Sequence, residues 1–226
     1  MKIKWYGHAS FIITSDDGIS VITDPYTPET SGYQPILDHP DIVVTSSLND
    51  SFHDRSDLIG GDPIKINMLE VTNGTVGETT AKGITFKAIE SFEMYDHPTH
   101  DPDKCAMYRW DMDGISIGHM GDMGNPFTPE ELEFFKDVDV FLVLASGIPT
   151  IELPDLKDAI DTIQPKLIIP MHFRTLRYKP RNMFWIQSFL SFFEDSDIDF
   201  QSDWEAELSK ADLPDSTRVL VLTHAM

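Results

Sequence analysis

Asp41-Ile42-Val43-Val44-Thr45-Ser46-Ser47-Leu48-Asn49-Asp50-Ser51-Phe52-His53-Asp54 is the stretch on which the reading of this chain turns. Asp41 to Val44 is a short apolar run rich in branched side chains, the signature of a buried strand. It runs out into a polar loop that a helix start would normally follow. α/β proteins place their chemistry at strand ends of this kind, because the sheet fixes the loop that leaves it. Asp50 and His53 are among the metal-ligand types in that loop.

Working outward, residues 2–24 predict three strands, 2–6, 10–14 and 19–23, with Asp16-Asp17-Gly18 as a hairpin turn. Residues 26–40 predict a loop, and a short helix is expected near 55–59 before Gly60-Gly61. Hairpin signals follow: a strand over 64–71, weak strand near 75–80, then strands over 84–89, 105–111 and 115–119. Thr128-Pro129-Glu130-Glu131 reads as a capping box opening a helix to about 136. Val138 to Leu144 is a buried strand, and Leu156, Ala159, Ile160 and Ile163 mark one face of a helix over 155–163. A strand over 166–169 ends at Pro170-Met171-His172, an apolar helix is expected over 183–193, and strands over 198–200 and 218–222 close the chain. Hairpins interleaved with strand–helix units fit two sheets packed face to face with helices outside.

Composition narrows the function. Seventeen basic residues against 38 acidic ones give a net charge of −21, a field that disfavours nucleic acid and anionic membranes and suits cations. Cys105 is the only cysteine, which excludes an intrachain disulfide and a thiolate-rich zinc site. The N-terminal run enters a strand without a signal-peptide core, and no apolar run approaches the roughly 20 residues of a membrane helix. A cytoplasmic protein is expected.

Five motifs then fall in one order: Gly7-His8-Ala9-Ser10-Phe11, Thr23-Asp24-Pro25, the loop after the strand at 41–45, Gly121-Asp122, and Ile169-Pro170-Met171-His172-Phe173. In that order and spacing the chain resembles the metallo-β-lactamase fold, and within it the small metal-dependent hydrolases that include ascorbate-6-phosphate lactonase. The resemblance covers nearly the whole chain. It implies α/β architecture in a single domain over 1–226, a four-layer αββα sandwich with a metal centre along one edge of the sheets. It also implies a divalent metal that activates water against an ester, lactone or phosphodiester bond.

The family's His-x-His-x-Asp-His loop falls on Ser46, Leu48, Asp50 and Ser51, its middle His near Glu93, its bridging Asp on Asp122 and its last His on His172. Ser, Leu and Glu at the first-metal positions imply that this site is lost. Asp50, Asp122 and His172 keep three of the four second-metal positions, with His53 and Glu93 as substitute ligands. Two carboxylates and an imidazole suit Mn²⁺ or Fe²⁺ about as well as Zn²⁺. By the same resemblance His8 and Asp24 orient the centre from behind; His119, three residues before Asp122, is read from its position as orienting that carboxylate.

Plainer readings stand beside these. Asp50 would serve equally as a helix cap, Asp122 as a turn residue and His172 as an ordinary strand-end histidine. His97, His100 and Asp101 read as a solvated, Pro-flanked acidic loop rather than a metal cluster. Arg174, Arg177, Lys179 and Arg181 stand out against the acidic background, Arg174 as a contact for a substrate anion. The expectation is therefore a hydrolase with one divalent ion (Zn, Mn or Fe), Asp50 orienting or deprotonating its water, acting on a small anionic substrate. A homo-oligomer through the 183–193 segment is compatible with this. The alternative is a non-catalytic binding or scaffold protein on the same fold, with no metal, since four of the seven ligand positions have changed.

Overall fold

The computed structural model describes residues 1–93, 103–147 and 149–225. The first three apolar runs fold as β1 (Lys2–Gly7), β2 (Ser10–Thr14) and β3 (Ser20–Thr23), an antiparallel meander. β4 (Ile42–Thr45) then adds parallel to β3, and β5 (Ile64–Asn67) parallel to β4. The loop between β3 and β4 contains one helical turn, α1 (Pro28–Ser31), where a loop was expected. The expected helix near 55–59 is a single 3₁₀ turn, Ser56–Leu58. The strand expected over 64–71 stops at Asn67, whose side-chain oxygen accepts the amides of Leu69 and Glu70 and so caps α2 (Met68–Thr72).

The second sheet starts with β6 (Val76–Ala81), β7 (Ile84–Phe92), β8 (Lys104–Met112) and β9 (Ile115–His119), all antiparallel neighbours. The direction rule then changes. β10 (Val140–Leu144) and β11 (Leu167–Met171) run parallel to β9, and β12 (Ile198–Phe200) and β14 (Arg218–Val221) continue that half. Between them β13 (Glu205–Glu207) crosses to the first sheet and pairs with β1. The orders are β13-β1-β2-β3-β4-β5 and β12-β14-β11-β10-β9-β8-β7-β6.

The inner faces of both sheets meet in one core that includes Ile3, Trp5, Phe11, Val44, Phe86, Tyr108, Ile117, Leu142 and Ile169. Burying each large apolar side chain contributes about 1.5–3 kcal/mol. Helices are few and short. α3 (Pro129–Phe134) opens on the expected capping box, with Thr128 and Glu131 bonded reciprocally. α4 (Leu153–Ile163) buries the face that its spacing marked. The apolar segment 183–193 yields only α5 (Ile186–Leu190), because the Arg174 amide donates to the Phe184 carbonyl and the Phe184 amide to the Ser146 carbonyl. Those two bonds hold the segment extended just before α5. Two facing sheets with thin helical cover make the αββα sandwich that was expected.

This topology places the site. β3 and β4 are parallel in one sheet and β9, β10 and β11 in the other, so loops leaving their C-terminal ends collect at an edge. Two backbone bonds tie the sheets there: the His172 amide to the His8 carbonyl at 3.0 Å, and the Ala106 amide to the Ser46 carbonyl at 2.8 Å.

Candidate metal centre

His8, Asp24 and His172 all follow strands and all have left-handed backbones, with φ of 52°, 36° and 58°. Non-glycine residues rarely adopt that conformation, and it concentrates where surrounding structure fixes a functional turn. Gly121, also left-handed, is required on a second ground. A Cβ there would lie 2.3 Å from the Ala106 carbonyl oxygen, so no larger residue could bring Asp122 to its place.

Asp24 is the buried anchor of the first-sheet side. Its carboxylate accepts the Ser46 amide at 2.9 Å, the Ser46 hydroxyl at 2.6 Å, the Tyr108 hydroxyl at 3.3 Å and His53 Nδ1 at 3.0 Å. The last bond fixes the His53 ring and turns Nε2 toward the opposite sheet, 3.3 Å from Asp122 Oδ2. Burial alone would lower the His53 pKa, but Asp122, the Asp24 hydrogen bond and Asp50 together raise it to about 10. Burial also opposes ionisation of Asp122, yet His53 and His172 hold its pKa below the usual value.

On the second-sheet side, His172 Nε2 lies 3.2 Å from the other Asp122 oxygen. Its Nδ1 lies 3.3 Å from the Ser146 hydroxyl, which is 2.8 Å from the Thr150 hydroxyl, and Thr150 donates to the Gly147 carbonyl at 2.9 Å. Ser146 Oγ also lies 3.1 Å from the Gly147 carbonyl, so this hydroxyl network fixes the His172 ring with Nε2 facing Asp122.

Two groups of ligand atoms lie within 4.8 Å of one another among the described residues: His8, His53 and His172, and Asp50, His53 and Asp122. His8 Nε2 is 3.1 Å from His53 Nε2, so the residue expected behind the centre stands among its candidate ligands. Burial, then His172 and His53, lowers the His8 pKa, so its ring is neutral. Asp50 caps no helix, contrary to the plainer expectation for it. Its Oδ1 accepts the Phe52 amide at 2.9 Å as a local turn cap, and it lies within the second ligand group. Burial raises the Asp50 pKa, with Asp122 and Asp24 adding to it against His53.

A metal fits this donor set. Ligand atoms on one ion bound at about 2.1 Å lie roughly 3.0–3.4 Å apart, and the three neighbouring pairs here are separated by 3.1, 3.2 and 3.3 Å. Asp122 Oδ1 is buried and has no hydrogen-bond partner although His172 Nε2 is beside it. Burying a carboxylate oxygen without a hydrogen-bond partner is costly unless a cation meets it. The Asp24–His53 pair is the carboxylate–imidazole arrangement that orients metal-binding histidines.

The other expected residues separate. Ser46 is buried and its hydroxyl is spent on Asp24, and Leu48 lines a cavity beside the centre without a donor. That cavity, about 620 Å³, is also lined by Glu93, whose pKa is pushed up to about 9 by burial and then by Asp122. His119 does not touch Asp122. It accepts the Gly121 amide at Nδ1 (2.9 Å), donates from Nε2 to the Ala9 carbonyl (3.0 Å), and so steadies the turn before Asp122. Arg174, expected as a substrate contact, stacks its guanidinium 4.7 Å over the Trp185 ring and is not among the residues lining the cavity. His97, His100 and Asp101 lie outside the described residues. Sequence reasoning missed Ser146, Thr150 and Tyr108, and the cavity residues Tyr178, Asn182 and Asp103; the one available signal was Ser146 standing just after a buried strand, as Asp24, Ser46 and His172 do.

Residues 2–172 match the family model of the β-lactamase superfamily domain, and the chain belongs to that family. It is 29% identical over 197 residues to a UPF0173 metal-dependent hydrolase of Nanoarchaeum equitans, covering 77% of this chain and 85% of that one. It is 27% identical over 192 residues to a UPF0173 protein of Pyrococcus abyssi, covering 77% and 84%. A solved structure from Thermotoga maritima, described as a candidate zinc-dependent hydrolase of the metallo-β-lactamase superfamily, aligns over 99% of both chains with a TM-score of 0.77 and 28% identity.

Proposed function

We propose that this member of the β-lactamase superfamily is a hydrolase of small esters or lactones with one divalent metal ion, held by His53, Asp122 and His172 with Asp50 and His8 alongside. The observation that carries this reading is His53. Two residues beyond the vacated Ser51 position, it is held by Asp24 and presents Nε2 3.3 Å from Asp122. A bound divalent ion would supply Lewis acidity, lowering the pKa of water and polarising a carbonyl oxygen. The chain's own residues do the rest. Asp24 and Ser146 fix two imidazoles so that both Nε2 atoms face Asp122. Asp50, a carboxylate whose proton affinity burial has raised, takes the proton of the attacking water. Cys105 takes no part, because burial raises its thiol pKa well above the ordinary value.

Elemental analysis of protein purified without chelators tests this. About one ion per chain, lost in Asp122→Ala, is the expected result. No metal, even after Zn²⁺, Mn²⁺ or Fe²⁺ is added, returns the chain to a non-catalytic role on the same fold.

A further inference from the structure

The cavity beside the centre has a charge pattern that its metal-binding residues do not explain. Asp50 and Asp122 belong to the ligand set, where they balance a divalent ion, but the wall carries a further carboxylate, Asp103, and the Glu93 carboxyl, which is uncharged near neutrality. No lysine or arginine lines it among the described residues. The cationic loop puts no basic side chain in the wall: the Arg174 guanidinium is stacked on Trp185, the Lys179 ammonium donates to the Glu29 carbonyl at 2.6 Å, and Arg177 and Arg181 do not line it. A phosphate or carboxylate held in this wall would therefore meet Asp103 with no basic side chain to balance it. The net charge of −21 repels anions at longer range in the same sense.

The wall also holds aromatic faces. Phe52 and Tyr178 line the cavity with ring centroids 6.2 Å apart at 55° to each other. A carboxylate beside angled aromatic rings is the chemistry that recognises organic ammonium groups, since ring faces and carboxylates both attract a cation.

We propose that the substrate of this site is a cation, a small ester or lactone carrying an amine or quaternary ammonium group, which Asp103, Phe52 and Tyr178 hold while its carbonyl faces His53, Asp122 and His172. This rests on the metal-dependent reading above and names the charge of its substrate. It replaces the anionic substrate that the basic residues 174–181 suggested.

The test uses metal-loaded protein and three hydroxamates of equal length, which bind a metal at one end. Their other ends are trimethylammonium, the isosteric neutral tert-butyl group, and carboxylate. Affinity is read by titration calorimetry, with no turnover needed. Trimethylammonium is expected to bind about tenfold tighter than tert-butyl and about a hundredfold tighter than carboxylate at low salt. Asp103→Asn should cut the ammonium advantage several-fold, as should raising the salt to about 0.5 M. Carboxylate binding as tightly as ammonium overturns the proposal, and so does an order that Asp103→Asn leaves unchanged. Loaded protein that binds none of the three overturns it too, because the cavity then does not serve the ion. Protein that takes up no metal instead defeats the hydrolase reading beneath it.

Discussion

The two sheets furnish the centre by different means. On the second sheet, Asp122 and His172 stand where the motif places them, each just past a parallel strand, and backbone bonds to Gly121 and His172 hold them. On the first sheet, the loop after β4 offers Ser46, Leu48 and Ser51 where imidazoles are expected, and the ring that reaches the centre belongs to His53. What the two sides share is a buried group behind each histidine: Ser146 behind His172, Asp24 behind His53. The ligand proposed here thus lies two residues along the loop from the motif position, aimed from behind the ring rather than by its place in the loop.

The sharpest way to break this comparison is to remove one imidazole from each side. His53→Ala and His172→Ala should each weaken metal binding by more than about a hundredfold, a larger loss than removing an orienting partner. Competition with a fluorescent chelator measures it, and circular dichroism checks the fold. If His172→Ala abolishes binding while His53→Ala leaves it intact, the first-sheet side is only a wall.

Asp24→Asn should cost about 10–100-fold in metal affinity with both imidazoles present. The amide would turn a donor toward the Ser46 hydroxyl or His53 Nδ1, where both neighbours already donate. The same mismatch should lower stability by about 1–3 kcal/mol in urea melts. Ser146→Ala is the matching change on the other side and should be milder. It loses a neutral hydrogen bond of 3.3 Å to His172, so about a tenfold drop in affinity and less than about 1.5 kcal/mol are expected. Equal losses in the two variants would contradict the view that charge makes Asp24 the stronger anchor.

How much of this the sequence disclosed follows the same division. Strand ends were legible through apolar runs and turn residues, whereas Asp24, Asp122 and His172 were singled out only by the family resemblance. His53 was legible as a spare imidazole, but its partner lies 29 positions away and no local pattern links them. Ser146 and Thr150 carry no spacing signal, since a hydroxyl after a strand is common. Phe52 and Tyr178 sit in loops where side-chain periodicity is lost. Arg174 was legible as a cation close in sequence to His172, but its stacking on Trp185, eleven residues on, has no local signal. The segment 183–193 was overextended because its apolar residues suit a helix, and only the backbone bonds to Ser146 and Arg174 forbid one before Ile186. The exposed, acidic β13 had no alternating pattern to betray it.

The smallest expected effect lies at the other end of the same two strands. Asp41, just before β4, accepts the amide and hydroxyl of Ser20 at the start of β3, at 3.0 and 3.2 Å. The Ser20 backbone bond is the main cause that holds its pKa below 3.8, with the Ser20 hydroxyl and Lys82 adding to it against slight burial. Because the folded pKa is depressed, this carboxylate stabilises the fold fully above its unfolded value, and the contribution is lost as pH falls through the folded value. Urea melts of the wild type and Asp41→Asn should differ by a constant amount near neutrality, and the gap should close below about pH 3.8. The gap should stay below about 1 kcal/mol, because solvent screens a side chain this exposed. Metal affinity should not change, since Asp41 clamps the strand ends away from Asp24 and Ser46. A clear loss of affinity in Asp41→Asn would show that the first-sheet half is aimed by the register of β3 on β4 as well as by Asp24.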